Sequence, residues 1–281
     1  MTKKKQNELS KVLIQNFWSI WFLVVVSLIL IFVAKQDALA KLLWQKYGRP
    51  DIAVLLVRRD AEFAMLLGNY YFGQTLGKSE YDLAKAERAF RKAVVADPKI
   101  LWGHYQLARI IFIKGNFNEA VGEINKELEA NPENLRSLYV RGLIYGYRNQ
   151  PGDLDKAESD FRRFTKWAPK EWAGYNDLAW ILSKQGKYEE AEKIINLALK
   201  EALGAKNNPW LWNALGVAQL NLKKYSGAAN SFKKAGELAE KLTQEEWHRS
   251  YPGNNPASAE KGLSAFIAAI EENLRRTESK K

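Results

Sequence analysis

Pro209–Leu238, PWLWNALGVAQLNLKKYSGAANSFKKAGEL, reads as two amphipathic helices joined by a short turn. Trp212, Leu215, Gly216 and Gln219 fall at i, i+3, i+4 and i+7, one face of a helix. Ala228, Phe232 and Ala235 fall at i, i+4 and i+7 on a second. Gly216 and Ala228 are small where two antiparallel helices must approach closely, so Trp212, Leu215 and Phe232 can interlock around them. One such hairpin cannot bury both its faces. It needs copies of itself to stack on.

The chain supplies them. Asp97-Pro98, Asn131-Pro132 and Ala168-Pro169 each end a helical stretch, and each proline begins the turn into the next. Pro98 to Pro132 is 34 residues and Pro132 to Pro169 is 37. Aligned on these marks, Leu67, Gly68 and Tyr71 lead a first hairpin, with Ala86, Phe90 and Ala93 trailing. Leu107, Ala108 and Ile111, then Ala120 and Ile124, make a second. Gly142 and Tyr145, then Ala157 and Phe161, make a third. Tyr175, Leu178, Ala179 and Leu182, then Ala191, Ile195 and Ala198, make a fourth.

This array resembles the tetratricopeptide-repeat (TPR) family, whose pattern is W-x2-L-G-x2-Y, then A-x3-F, then P, in about 34 residues. Trp212, Leu215, Gly216, Ala228 and Phe232 follow it most closely. His104 stands where the pattern has its first Trp, and Arg141 where it has Leu. Extra residues fall around Gly77–Tyr81 and Asn149–Asp153, and a longer trailing helix over Leu197–Leu203. The resemblance implies an all-α fold: a right-handed TPR superhelix, an α-solenoid, of about five helix hairpins. Repeat arrays need a polar terminal cap. Leu263, Phe266, Ile267 and Ile270 form one stripe of a capping helix, and Trp247-His248 is expected at the surface before it.

Upstream, Val12 to Ala34 carries no charge, and from Phe17 nearly every residue is apolar. At ~1.5 Å per residue the run matches the ~30 Å core of a bilayer. Trp18 and Trp21 suit its interface. A signal anchor is expected; Ala38-Leu39-Ala40 offers a small-x-small cleavage site as the alternative. Lysines flank both ends, and the Lys3–Lys5 cluster in the short tail favours a cytoplasmic N-terminus with the array outside the cytoplasm. The expected organisation is a basic tail (1–11), a transmembrane helix (12–34) and a helical spacer or degenerate repeat (35–60). The array follows over 61–242, in copies 61–98, 101–132, 135–169, 172–208 and 209–242. A loop (243–257), the capping helix (258–276) and a basic tail (277–281) complete it.

Composition narrows the chemistry. The 281 residues include no cysteine, which removes disulfides, zinc–thiolate sites and thiol catalysis. The net charge of +11 is spread thinly, with mixed signs on most helices, so no nucleic acid is expected. His104 and His248 lack a metal-binding arrangement, and neither a phosphate loop nor a nucleophile elbow occurs. Glu189/Glu190, Glu245/Glu246 and Glu271/Glu272 read as solvated charge. No enzyme activity, cofactor or metal is expected.

A TPR stack instead offers a concave groove. Helical geometry puts the second, fifth, ninth and twelfth residues of each leading helix on it. The candidates are Asn69, Phe72, Trp102, Tyr105, Arg109, Phe112, Arg136, Tyr139, Asn176, Trp180, Trp210 and Asn213. Aromatic and Arg side chains are frequent hot spots, and Asn can pair with an extended peptide backbone. For Trp102, Trp180 and Trp210, packing against neighbouring helices is an equal alternative. Some TPR proteins clamp a C-terminal carboxylate with Lys and Asn; Met65 stands at the Lys position, so that ligand class does not carry over. The resemblance implies protein or peptide partners. The expected function is a membrane-anchored scaffold or adaptor, in a cell-envelope, secretion or pilus-type assembly. A glycan- or peptidoglycan-associated accessory protein using the same groove is the alternative. Self-association, common in the family, is left open.

Overall fold

In a computed structural model, residues 3–73, 80–250 and 259–280 are described. Among them every regular element is helical, apart from one antiparallel bridge between Phe72 and Tyr81. The first helix, α1 (Lys3–Tyr47), is continuous through the apolar run and 13 residues past its end at Ala34. Its Ile20–Tyr47 portion is long and apolar enough to cross a membrane. Trp18, Phe22, Leu23 and Leu30 on it are all more than 60% exposed, so this helix packs on nothing in the chain there.

The end of α1 behaves differently. Ala40 is fully buried, and Trp44 packs on Phe63 and Tyr70 at 5.5 and 5.7 Å between ring centroids. Gly48, at φ +59°, reverses the chain into α2 (Pro50–Leu56), with Pro50 in its first turn. The α1–α2 pair covers the open face of the first hairpin.

Five hairpins follow: α3 (Ala61–Tyr71) with α4 (Leu83–Ala96), α5 (Gly103–Ile113) with α6 (Phe117–Ala130), and α7 (Arg136–Arg148) with α8 (Asp153–Trp167). Then come α9 (Trp172–Lys184) with α10 (Tyr188–Glu201), and α11 (Pro209–Asn221) with α12 (Tyr225–Ala239). Side-chain caps set several starts. Asp60 accepts from Phe63 N, Asp82 from Ala84 N and Lys85 N, and Asn208 from Leu211 N. After α10 a 3-10 turn over Ala205–Asn207 takes up the longer connection to Pro209. Of the extra residues expected in the first copy, 77–79 lie outside the described residues.

Each hairpin closes on one small–large pair. A Cβ placed on Gly216 would lie 2.6 Å from the Phe232 ring, and one on Gly142 2.9 Å from Phe161. On Gly68 it would overlap Phe90. At the same register, hairpins two and four carry Ala108 with Ile124 and Ala179 with Ile195, all fully or nearly fully buried. Glycine meets phenylalanine and alanine meets isoleucine, so the summed volume is kept while its division between the helices alternates.

The two positions that depart from the repeat pattern are polar and paired. His104 Nδ1 lies 2.6 Å from Glu123 Oε2. Arg141 Nε and Nη2 donate to the two Asp160 oxygens at 2.7 and 2.8 Å, and Nη1 donates to Asn125 Oδ1 at 2.9 Å. Nearby, fully buried Glu127 accepts from the backbone N–H of Trp102 (3.0 Å) and Tyr105 (3.1 Å) and from the side-chain amide of Asn134 (2.8 Å). It does for the start of α5 what an N-cap side chain does elsewhere, because Trp102 itself sits at φ +69° and supplies no cap.

At the far end α14 (Ala259–Glu278) lies across α12. Phe266, Ile267 and Ile270 meet Phe232 and Ala235, while Glu271, Glu272 and Arg275 face water. The stretch expected as a loop over 243–257 holds a short helix instead, α13 (Gln244–Ser250). Thr243 N donates to Glu246 Oε2 and Glu246 N to Thr243 Oγ1, a reciprocal capping box that starts it. Trp247, expected at the surface, is 9% exposed because its indole packs on Trp210 and Phe266. His248's side chain lies outside the described residues.

The small–large pair gives a double-mutant test. Gly216→Ala and Phe232→Ile are each expected to lower stability by about 1–3 kcal/mol, one by overpacking and one by leaving a cavity. Together they install the pair native to hairpins two and four and should recover more than half of the summed loss. Urea unfolding of the four proteins measures the coupling, and strictly additive losses would refute the interlock.

Candidate functional site

The leading helices α5, α7, α9 and α11 line a common cavity of about 460 Å³. Tyr105, Arg109 and Phe112 reach it from α5, and Arg136 and Tyr139 from α7. Asn176 and Trp180 come from α9, and Trp210 and Asn213 from α11. Phe164 of α8 contributes to its floor, and Trp247 and Phe266 close the α11 end. The cavity falls within the size range of ligand pockets, apolar in its walls with a few placed polar groups.

Three expected groove residues lie elsewhere. Asn69 and Trp102 face a second, wider cleft of about 1130 Å³ shared with Asp37 and Arg59. Phe72 is 3% exposed, with its ring 6.4 Å from Phe90 and 6.3 Å from Tyr81. The periodic placement fails there because α3 ends at Tyr71. Phe72 is its C-cap residue, and the chain turns at Gly73, folding the ring back under the trailing helix.

Within the cavity the charges are held in distinct ways. Arg109 is nearly buried, its guanidinium 4.8 Å from the Phe72 ring and 5.5 Å from the Tyr105 ring. Its Nη1 donates to Gln106 Oε1 at 2.7 Å, and Gln106 Nε2 donates to Asn69 Oδ1 at 3.0 Å. Burial pushes the guanidinium below its usual pKa, yet it remains a cation at neutral pH. Arg136 is exposed, donates to Glu171 Oε1 at 3.1 Å and lies 5.9 Å from the Trp167 ring.

The aromatic rings are largely committed to packing. Trp210 is 5% exposed and stacks on Trp172 at 5.2 Å and on Phe266 at 5.7 Å, each at an interplanar angle of 17°. Trp180 meets Tyr147 at 5.0 Å, with Lys184 Nζ 5.0 Å from the indole. A Cβ on Gly146 would fall 2.6 Å from Trp180, so this glycine lets the indole lie against the backbone of α7. Asn213 presents a buried Oδ1 with no hydrogen-bond partner among the described residues.

Sequence periodicity passes over Asp177. It precedes the packing residue Leu178, at a register where the other copies carry Leu66, Gln106, Val140 and Ala214. In the structure it lines the cavity and is 7% exposed. The Tyr139 hydroxyl donates to its Oδ2 at 2.7 Å and Asn176 Nδ2 to its Oδ1 at 3.0 Å. Burial outweighs both bonds and pushes the carboxyl up to about 6. One carboxylate at a register otherwise free of charge is the signal that could have found it.

Fold and cavity together define an α-solenoid of helix hairpins with its ligand-sized space on the inner face. A family model described as tetratricopeptide repeat matches residues 150–208, and solved tetratricopeptide-repeat structures share the architecture. Solved structures share the fold. The MamA protein is 18% identical, with a TM-score of 0.53 over 64% of this chain and 92% of that one. A tetratricopeptide repeat protein from Parabacteroides merdae ATCC 43184 is 17% identical, with a TM-score of 0.51 over 88% and 84%. Among curated proteins, BBSome complex member BBS4 of Bos taurus is 27% identical over 139 residues, 48% of this chain. Peptidyl-prolyl cis-trans isomerase FKBP42 of Arabidopsis thaliana is 25% identical over 112 residues, 39% of this chain. The matches span 25% and 30% of those two relatives' lengths. The fold is one that typically serves as a non-catalytic protein-interaction scaffold.

Asp177 yields a pH test. Its folded pKa lies above the unfolded value, so the native state binds more protons between about pH 4 and pH 6. Stability therefore falls as pH rises through that window. Ionisation costs the native state up to about 3 kcal/mol at neutral pH. Asp177→Asn is expected to remove that component and to unfold at higher urea than the parent at pH 7.5, with the gap closing toward pH 4. A gap independent of pH would contradict the assignment.

Proposed function

We propose that this protein is a membrane-tethered scaffold that holds an extended, aromatic- and acid-bearing segment of a partner protein in the α5–α11 cavity. The observation that carries this is the placing of two cations, Arg109 and Arg136, in one aromatic-walled cavity of about 460 Å³. Arg136 is the accessible cation; its exposed guanidinium, which pairs with Glu171 through Nη2, is the group proposed to meet a ligand carboxylate. Asn176 and Asn213 face the same space and suit a peptide backbone. Binding and positioning make up the function, with no catalytic step.

The membrane tether is α1. The lysine cluster Lys3–Lys5 supports a cytoplasmic N-terminus and an array on the other side, in a cell-envelope, secretion or pilus-type assembly. The glycan reading requires open ring faces for sugars to stack on. Trp210 is packed on both sides and Trp180 lies between Lys184, Tyr147 and the α7 backbone, so the peptide reading is favoured.

The test is selection of displayed linear peptides on the full-length protein in lipid nanodiscs. Enriched peptides should pair an aromatic with an acidic residue. Arg136→Glu should weaken them at least tenfold, about 1.4 kcal/mol or more. Lys193→Glu, on an exposed position of α10 away from the cavity, should leave them unchanged. Equal binding to the two variants would overturn the site. Tryptophan fluorescence that responds to peptidoglycan fragments but to none of the peptides would favour the glycan reading. A reporter fused after Lys281 checks the orientation.

A further inference from the structure

The first hairpin and the α1–α2 pair before it carry a surface that the cavity does not use. The turn after α2 is tied to α1 directly beyond the apolar run. Arg58 N donates to Asp37 Oδ1 at 2.6 Å, and Arg59 N donates to Asp37 Oδ2 at 3.1 Å. Lys41 pairs with Asp60 at 2.5 Å. Asp37 is three residues past Ala34, about 4.5 Å along the helix axis. The polar layer on each side of a ~30 Å hydrocarbon core is about 5–7 Å deep. With α1 in a bilayer, Arg58 and Arg59 stand at the height of the lipid headgroups.

The end of α4 returns to the same height. Lys92 Nζ donates to the Val54 and Leu55 carbonyls at 3.0 and 2.5 Å, and Gln36, Arg58, Arg88 and Val95 border one shallow cleft. Leu55 is 53% exposed and Val95 79%, large apolar side chains at the rim of a basic patch. Most acidic groups nearby are engaged: Asp37 by backbone N–H groups, Asp60 by Lys41, Glu87 by Arg91 and Lys114, and Asp97 by the Lys99 N–H, while Glu62 lines the wider cleft beside Arg59.

We infer that this edge, built from the ends of α2 and α4 beside α1, rests on the membrane surface and takes the phosphates of anionic lipids through Arg58, Arg59 and Arg88. Leu55 and Val95 enter the headgroup layer beside them. Basic residues this close to anionic headgroups are attracted to them, while the two apolar side chains fix the depth. The solenoid is then seated against the bilayer, because α1 runs without a break from the span to Trp44, which packs on Phe63 and Tyr70 of the first hairpin. This rests on the membrane-tether reading, and its test separates the two.

The chain has no cysteine, so single cysteines can be labelled one at a time in the full-length protein. Val25→Cys reports the span, Val95→Cys the proposed edge, and Asn116→Cys the opposite edge, each carrying a fluorophore. The proteins are reconstituted in vesicles containing a lipid quencher spin-labelled near the headgroup. The vesicles are of phosphatidylcholine alone or of phosphatidylcholine with one third phosphatidylglycerol. Expected is a Val95 signal quenched about threefold more than Asn116 in the anionic vesicles. That difference should shrink in phosphatidylcholine alone and with Arg58→Glu/Arg59→Glu. If Val25 is shielded from aqueous quencher but Val95 is quenched no more than Asn116, the edge proposal fails and the tether stands. The same holds if Val95 is indifferent to lipid charge and to the arginine reversal. If Val25 is open to aqueous quencher, the tether reading fails and takes this proposal with it.

Discussion

The contact between one small residue on each leading helix and one large residue on its trailing helix sets the spacing of the whole solenoid. In hairpins one, three and five a phenylalanine ring occupies the volume that a Cβ on Gly68, Gly142 or Gly216 would need. In hairpins two and four the same space is divided between alanine and isoleucine. Interiors packed near crystalline density tolerate either division but not a change in the sum. The alternation matters beyond each hairpin. Every leading helix must hold one common distance from its partner if α5, α7, α9 and α11 are to present a continuous inner wall. Replacing one pair would move one wall of the cavity relative to the others.

Polar groups were accommodated in the stack by bringing their partners with them. His104 and Arg141 occupy positions where the repeat pattern is apolar, and each finds a carboxylate on its own trailing helix, 19 residues on in both cases. A buried ion pair such as Arg141–Asp160 adds little net stability, because the desolvation cost offsets the attraction. Breaking one leaves a buried charge unpaired, so the pairs penalise any other registration of the two helices. Glu127 acts across the next boundary, joining the start of α5 to the turn before α7. Hairpins two and three are thereby the most polar part of an otherwise apolar array, and they supply both arginines of the cavity.

The repeat architecture was legible because a 34-residue period over five copies is redundant: the weak third copy is placed by its neighbours. Groove positions were legible as far as the helices keep register. Tyr105, Arg109, Phe112, Arg136, Tyr139, Asn176, Trp180, Trp210 and Asn213 come together on that ground. Phe72 does not, since periodicity carries no information past the end of a helix. Trp210 shows a different shortfall. Its position was deducible, but its burial depends on Trp247 and Phe266, which arrive from segments with no repeat register to align. Asp177 is invisible to a face-counting argument because it lies between the packing and groove faces. Its raised pKa comes from burial in the assembled stack, which the spacing of residues along one helix does not show.

That carboxyl also constrains what the cavity can hold. With a pKa pushed up to about 6, Asp177 is largely ionised at neutral pH while nearly excluded from water, held by hydrogen bonds from Tyr139 and Asn176. A ligand that covers the cavity removes the remaining water and raises the cost of that charge further. Under the binding proposed above, a second carboxylate is therefore disfavoured at the α9 end and favoured near Arg136. Trp247 and Phe266 shut the α11 end. For a segment bound as proposed, the acidic group belongs toward α7 and the apolar or hydrogen-bond-donating group toward α9. The charges of the wall constrain that order of groups, and segments of either chain direction can meet it.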